Sequence, residues 1–266
     1  MSLTFGSGPL SESPRRGDLN FPLADVSPKR QLFWQPDERR LRAIIAGVTV
    51  FDTTRARLLH ETAVVPRAYA PLDDFRRDLL VWSPLTTHCP WKGDASHLSL
   101  SGEGIAVDNL VWTYEQPLAS AAFLRGYGAV YPDKVDVWLV EEDRVIAELR
   151  DPYHRVDVHL STRLAVATIE GEEVARSARP MLVFETGVRT RVYFPPTDIA
   201  HPSLMRPGSG KRTTCQYKGE ASYWTVAGVE DAAWSYDLPL PDALRVQGHL
   251  SFDEKHPAVD VTLEGA

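Results

Sequence analysis

Along most of the chain, apolar and β-branched residues come in short runs, alternate with polar ones, and are broken by Gly, Pro and Asp. This is the periodicity of strands. The pattern starts at Leu41, where Ile44, Ile45, Val48 and Val50 are β-branched and Gly47 marks a turn or bulge. Residues 55–65 continue as strand material, and Arg67-Ala68-Tyr69 follows Pro66 before Pro71 stops the ladder. Asp73 and Asp74 are placed to cap a short helix reaching about Leu80 and ended by Pro84, because an Asp side chain accepts backbone N–H groups at a helix start. A Gly/Ser loop over 99–104 leads to Val111-Trp112-Thr113-Tyr114, and 122–131, 134–140 and 144–149 read as further strands. No window of 11 or more residues sustains i, i+3, i+4 apolar spacing. The expected class is all-β with a few short helices.

The pattern then repeats. Thr87-His88-Cys89-Pro90-Trp91-Lys92-Gly93-Asp94-Ala95-Ser96 returns as Thr213-Thr214-Cys215-Gln216-Tyr217-Lys218-Gly219-Glu220-Ala221-Ser222, with six of the ten positions identical. Glu61, Arg67, Tyr69, Pro71 and Asp74 are answered by Glu185, Arg191, Tyr193, Pro195 and Asp198 at one offset, 124 residues (61 to 185). The cysteine motif recurs at 126 (89 to 215), and Trp112 and Tyr114 recur as Trp234 and Tyr236 at 122 (112 to 234). Offsets that change only between motifs describe loop insertions and deletions inside a shared fold, so the chain is a tandem duplication. The expected layout is an N-terminal arm over 1–36, a first repeat over 37–150, a connecting segment over 151–163 and a second repeat over 164–266. Phe33 and Trp34 would anchor the end of the arm, and the rings of Tyr153 and His154 suggest that the connection packs.

Composition narrows the function more than the fold. A formal charge of −7 argues against a broad nucleic-acid footprint and against an anionic membrane surface as partner. No segment approaches the ~20 apolar residues of a membrane span, and Met1–Asn20 lacks the apolar core of a signal peptide. The two cysteines sit at equivalent places in the two repeats, which reads as one feature copied and fits a reducing cytoplasm. The oligomeric state is not legible.

Glu185, Arg191, Tyr193, Pro195, Asp198, Cys215-Gln216-Tyr217-Lys218-Gly219-Glu220-Ala221 and Trp234-Ser235-Tyr236, in that order, resemble a widespread family of domains of unknown function. Some catalogue that family as nucleotidyltransferase-like. The linker Pro152-Tyr153-His154-Arg155-Val156-Asp157 is similar to that of its tandem bacterial members. The resemblance covers about residues 40–266. It implies a β-tent-like domain, two sheets leaning together over a pocket. The family's usual Cys-Pro-Tyr-Lys-Gly has Trp91 for Tyr in the first copy and Gln216 for Pro in the second. Relatives in the wider group often hold zinc on four cysteines; one cysteine per repeat and no Cys-x-x-Cys leave no such site here, and no metal or other cofactor is implied.

The duplicated polar residues are the candidate chemistry. Cys89 and Cys215 could be nucleophiles if Lys92 and Lys218 favour the thiolate; otherwise they are small buried hydrophobes. Gly93 and Gly219 can take a positive φ that throws each lysine toward a pocket, to bind an anion or act as base or amine, unless it pairs with Asp94 or Glu220. Arg67 and Tyr69, like Arg191 and Tyr193, lie two apart and so share a strand face. There an arginine fork could hold a carboxylate or phosphate, or form a structural ion pair of Arg191 with Glu185 or Asp198. Trp112 with Tyr114, and Trp234 with Tyr236, are pocket walls for a planar ligand or simply core. Phosphate-binding, Rossmann, zinc-protease and nucleophile-elbow motifs are missing, as is an acidic pair spaced for a nucleotidyltransferase Mg²⁺ site.

The reading is a small-molecule pocket in each repeat, for a planar or anionic ligand, lined by Glu61, Arg67, Tyr69, Lys92, Trp112 and Tyr114 and by Glu185, Arg191, Tyr193, Lys218, Trp234 and Tyr236. Two alternatives stay open. One is an enzyme doing group transfer or hydrolysis with Cys89, Lys92, Cys215 or Lys218; the other is a structural or interaction module.

Overall fold

The computed structural model describes Asp25, residues 30–200 and residues 202–265. Most of the expected arm, residues 1–24 and 26–29, lies outside the described residues. Two compact units meet in sequence between Asp151 and Pro152.

The first unit contains β1 (Leu32–Pro36), β2 (Leu41–Ile45), β3 (Val48–Thr53), β4 (Arg57–Glu61), β5 (Val64–Pro71), β6 (Leu80–Cys89), β7 (Gly93–Gly102), β8 (Ile105–Thr113), β9 (Tyr127–Val130), β10 (Val137–Val140) and β11 (Asp143–Arg144). They form a seven-stranded sheet, β1-β4-β5-β9-β8-β7-β6, and a four-stranded sheet, β11-β10-β2-β3. The second unit runs through the same order as β12 (Val156–Leu160), β13 (Ala165–Ile169), β14 (Glu172–Ser177), β15 (Met181–Glu185), β16 (Arg191–Tyr193), β17 (Met205–Cys215), β18 (Gly219–Val226), β19 (Val229–Tyr236), β20 (Leu250–Phe252) and β21 (Val259–Leu263). Its sheets are β12-β15-β16, β14-β13-β21 and β17-β18-β19-β20. In the first unit the β1-β4-β5 part joins the β9-β8-β7-β6 part where Ala70 and Pro71 pair with Gly128 and Tyr127. In the second unit the corresponding join is the single bridge Phe194–Leu250. The chain is all-β with short 3-10 turns, and the domain is duplicated, as expected.

Several local expectations are corrected. Residues 32–36, assigned to the arm, form β1, where Trp34 packs on Tyr69, Phe123 and Tyr127. The helix expected after Pro71 is a pair of 3-10 turns, Leu72–Asp74 and Arg77–Leu79, with no side-chain cap. Asp74 is engaged elsewhere: it accepts from Thr53 Oγ1 at 2.6 Å and pairs with Arg55. Asp198 repeats this with Ser177 Oγ (2.7 Å) and Arg179. Pro84 ends no helix; it sits in β6 where the register with β7 shifts between Trp82 and Thr86, a bulge that tolerates a residue without an N–H. The expected 99–104 loop is the end of a β7–β8 hairpin that turns at Glu103-Gly104. The 122–131 and 134–140 runs each open with a 3-10 turn, Ala119–Leu124 and Pro132–Lys134, and of the 144–149 run only Arg144 is strand, at the end of the two-residue β11.

Each unit has a principal core and a second cluster beside it. In the first unit the principal core holds Leu41, Val50, Phe51, Leu100, Leu110 and Val111; the second cluster gathers Leu59, Tyr69, Ala95, Tyr114, Leu124 and Ala129. In the second unit the corresponding clusters centre on Ile169, Phe194 and Phe252, and on Val183, Tyr193, Ala221 and Tyr236. Among the described residues no helix is long and apolar enough to cross a membrane.

Candidate functional site

The repeated motif is a β-hairpin. Cys89 pairs with Gly93 and Cys215 with Gly219 at the closing end, so the lysine stands at the turn just before the glycine. Gly93 has φ +101° and Gly219 φ +102°, a backbone region that a side chain disfavours. A Cβ on Gly219 would also lie 3.2 Å from the Leu238 carbonyl oxygen. The turn is pinned from outside as well: Leu118 N–H donates to Lys92 O at 2.9 Å and Leu240 N–H to Lys218 O at 3.0 Å. The lysine side chain leaves this fixed turn inward.

There it meets a glutamate from the end of a neighbouring strand. Lys92 Nζ pairs with Glu61 Oε2 and Lys218 Nζ with Glu185 Oε2. In both pairs the lysine side chain is 12% and the glutamate 8% exposed. The expected partners Asp94 and Glu220 are engaged outside: Asp94 with His88 and Glu220 with Arg212. Each buried glutamate has a second partner that comparison of identical residues does not find. Arg30 Nη1 donates to Glu61 Oε1 at 3.2 Å, and His154 Nε2 lies 3.1 Å from Glu185 Oε1. A carboxylate only accepts, so His154 carries its proton on Nε2. The two partners differ in kind but are related by the same offset of 124 (30 to 154), which is the signal that could have exposed them. His154 is stacked on Tyr217 with ring centroids 3.8 Å apart. Burial works to raise the Glu185 carboxyl, but the His154 hydrogen bond and the Lys218 ammonium outweigh it and hold the group down at about 2.

The strand pairs converge on the same place. Trp112 Nε1 donates to Tyr69 Oη at 3.0 Å and Trp234 Nε1 to Tyr193 Oη at 3.1 Å. Tyr69, Tyr114, Tyr193 and Tyr236 are at most 5% exposed, and burial pushes all four phenols well above their usual range, so they are neutral donors. Arg191 pairs with Glu254 Oε2 at 3.0 Å, a site it shares with Arg189, and lies over the Trp234 ring. Neither of its expected partners, Glu185 or Asp198, is the one found. Arg67 lies 3.6 Å from Glu148.

Each unit holds a cavity at this point. That of the second unit, about 290 Å³, is lined by Glu185, Arg191, Tyr193, Lys218, Trp234 and Tyr236 together with residues that include Thr213 and Tyr223. That of the first, about 240 Å³, is lined by Glu61, Arg67, Tyr69, Lys92, Trp112 and Tyr114 together with residues that include Thr87 and Tyr131. The twelve candidate residues are thus brought together six to a cavity. The tryptophans and tyrosines are also core, so the two readings of them were not exclusive. Neither cysteine is among the lining residues; Cys89 packs against the hydrophobic cluster behind its cavity, and both thiols are half-buried.

The cavities differ at one wall. Tyr131 lines the first, its hydroxyl 3.2 Å from His97 Nε2; His97 Nδ1 faces the Leu85 carbonyl and must donate to it, so Nε2 accepts from Tyr131. In the second, Asp253 stands at the Tyr131 position and Tyr223 at the His97 position. Beside the paired tyrosines a further phenol is thus present in both cavities, from Tyr131 just after β9 in the first and from Tyr223 in β18 in the second, which is why matching residue for residue does not reveal it.

A family model described as a domain of unknown function (DUF427) matches the chain twice, over residues 34–141 and 157–265. No curated protein matches the chain.

Proposed function

The chain belongs to the DUF427 family of domains of unknown function, which it carries in tandem, and from that premise we propose that each copy binds a small planar or anionic molecule in its cavity. One observation carries this reading. Six polar and aromatic residues, scattered over four separate sequence segments, line one cavity, and their six counterparts line the equivalent cavity of the other unit. A purely structural ion pair would need the Lys–Glu partners alone. It would not need an open space of about 290 Å³ or 240 Å³ beside them. These volumes lie near the lower end of the ~300–1,000 Å³ of ligand pockets, so the ligand is small, of the order of one substituted ring. Trp112 and Trp234 supply a flat wall, and lysine and arginine supply the charge.

The arrangement of β12-β15-β16 and β17-β18-β19-β20 around the second cavity fits the β-tent-like expectation. A reaction at sulfur draws no support from these two cavities, because neither Cys89 nor Cys215 lines them. Two unpaired thiols fit a reducing cytoplasm.

Thermal-shift screening against nucleobases, amino acids and carboxylates tests the reading. A ligand confined to the native state stabilises by about 2.7 kcal/mol at 100 times its Kd. The control is Thr87→Trp with Thr213→Trp, exposed positions on the cavity rims where an indole would fill the space. A shift that disappears in the double variant supports binding. The absence of any shift across the panel favours the interaction-module alternative.

A further inference from the structure

Resting on that reading, we infer that the inner end of each cavity is built to receive a carboxylate, so that the ligand is an aromatic or conjugated acid rather than an amide, an amine or an uncharged heterocycle. The inference comes from which hydrogen-bonding groups are already engaged. In the second unit Tyr193 Oη accepts from Trp234, and its own proton has no acceptor among the described residues. The Tyr236 hydroxyl forms no hydrogen bond with another described residue although Tyr236 is 5% exposed. Lys218 has three N–H donors and directs one to Glu185. Arg191 directs one of its five to Glu254. In the first unit Tyr69 and Tyr114 repeat the two unanswered hydroxyls, Lys92 repeats the partly engaged ammonium, and the Arg67 guanidinium makes no hydrogen bond with another described residue.

The tyrosine rings are buried, but the Tyr114 and Tyr236 hydroxyl oxygens are not sealed inside protein, so whatever occupies the cavity answers them. Here the same two hydroxyls are left unanswered at the same place in both copies, and both face a cavity. The carboxylates common to the two cavities, Glu61 and Glu185, each already accept from a side chain on both oxygens. What the two cavities share toward an incoming group is therefore O–H and N–H; the second also has Asp253 on its wall, whose Oδ1 accepts from the Lys255 N–H. An amine would present donors to donors, and an amide would waste its NH₂. A carboxylate is acceptor-only, with lone pairs for both hydroxyls and for the ammonium. Charge points the same way: Arg30, Lys92 and Glu61 are two cations around one anion, and a bound carboxylate makes the cluster neutral. The tryptophan wall then meets the ring that carries the acid.

The test is calorimetric titration of the full chain with benzoate, benzamide and benzylamine, three probes of one shape. Benzoate is expected to saturate and to bind about ten-fold or more tighter than benzamide, with no saturable benzylamine binding, because hydrogen bonds to a charged acceptor are the stronger ones. Tyr114→Phe combined with Tyr236→Phe removes two hydroxyls that have no hydrogen-bond partner among the described residues. It is expected to weaken benzoate about ten-fold or more while leaving the melting temperature unlowered, which a merely structural role for these phenols would not produce. Benzamide or benzylamine binding as tightly as benzoate overturns the inference. So does unchanged benzoate affinity in the double variant, or no saturation at about 10 mM. If an uncharged or cationic probe binds and Thr87→Trp with Thr213→Trp abolishes it, the cavities are binding sites but not for an acid. If nothing in the wider panel binds, the binding reading falls with it.

Discussion

Replacing Glu185 by Gln removes the one anion that Lys218 and His154 share inside the second unit. All three side chains are buried, with 8% exposure for Glu185, 12% for Lys218 and 3% for His154. Deleting one member of such a cluster leaves the other charge without its partner, at a cost of about 3–5 kcal/mol. The titration of Glu185 gives an independent figure. Its carboxyl falls from 4.5 to about 2 on folding, which corresponds to about 3 kcal/mol of stability at neutral pH. The sign follows from a lowered native value: the contribution is fully present above the unfolded value and is lost as pH falls toward the native one. Between pH 5 and pH 2 the ionised native form gives way, and at pH 3 about 1 kcal/mol of the contribution remains. Urea unfolding of Glu185→Gln and of the unaltered chain, followed by tryptophan fluorescence at pH 7, 5 and 3, should therefore show a gap of about 3 kcal/mol at pH 7 and 5 that narrows by about 2 kcal/mol at pH 3. A variant within 1 kcal/mol of the parent at pH 7, or a gap that stays constant to pH 3, would refute the argument that this ion cluster is an intact part of the native second unit.

Three further outcomes follow from the same geometry. Tyr193→Phe leaves the Trp234 indole N–H without its acceptor and should cost about 1–3 kcal/mol, whereas Tyr236→Phe should cost nothing measurable; equal losses on thermal unfolding would contradict the hydrogen-bond assignment. Gly219→Ala places a Cβ at φ +102° and 3.2 Å from Leu238 O, so it should destabilise by about 1–3 kcal/mol, and a neutral result would show that the lysine turn is not held as described. Iodoacetamide at pH 7 should label Cys89 and Cys215 more slowly in the native chain than in denaturant; rapid labelling of one of them in the native chain would restore the nucleophile alternative.

Much of the site was legible because the duplication acted as an internal comparison. Lys218, Glu185, Arg191, Tyr193, Trp234 and Tyr236 stand out because each has a copy at an offset of 122, 124 or 126 that is constant within its motif, and strand periodicity places Arg191 with Tyr193, and Trp234 with Tyr236, on common faces. Their convergence on one cavity needed the register of β15, β16, β18 and β19, which no local pattern contains. What changed identity between copies was missed. Arg30 and His154 do the same work on Glu61 and Glu185 with different chemistry, and the further phenol of the first cavity, Tyr131 after β9, is replaced in the second by Tyr223 of β18. Asp74 reads as a cap because an Asp before an apolar run satisfies a capping rule locally, while Thr53, 21 residues earlier, is the partner that engages it, as Ser177 engages Asp198. Pro84 was misread for a similar reason: a proline excludes a regular ladder but not a bulge.

The working part of the cysteine motif is the lysine turn beside the sulfur. Cys89 and Cys215 close the hairpin, Gly93 and Gly219 bend it, and Lys92 and Lys218 carry it into the cavity. If that is the purpose of the motif, ligand stoichiometry reports it directly. Calorimetric titration with benzoate should count two sites in the unaltered chain, one in Thr87→Trp, one in Thr213→Trp and none when both are changed. A single site in the unaltered chain, or two that survive in the double variant, would contradict a binding cavity in each copy.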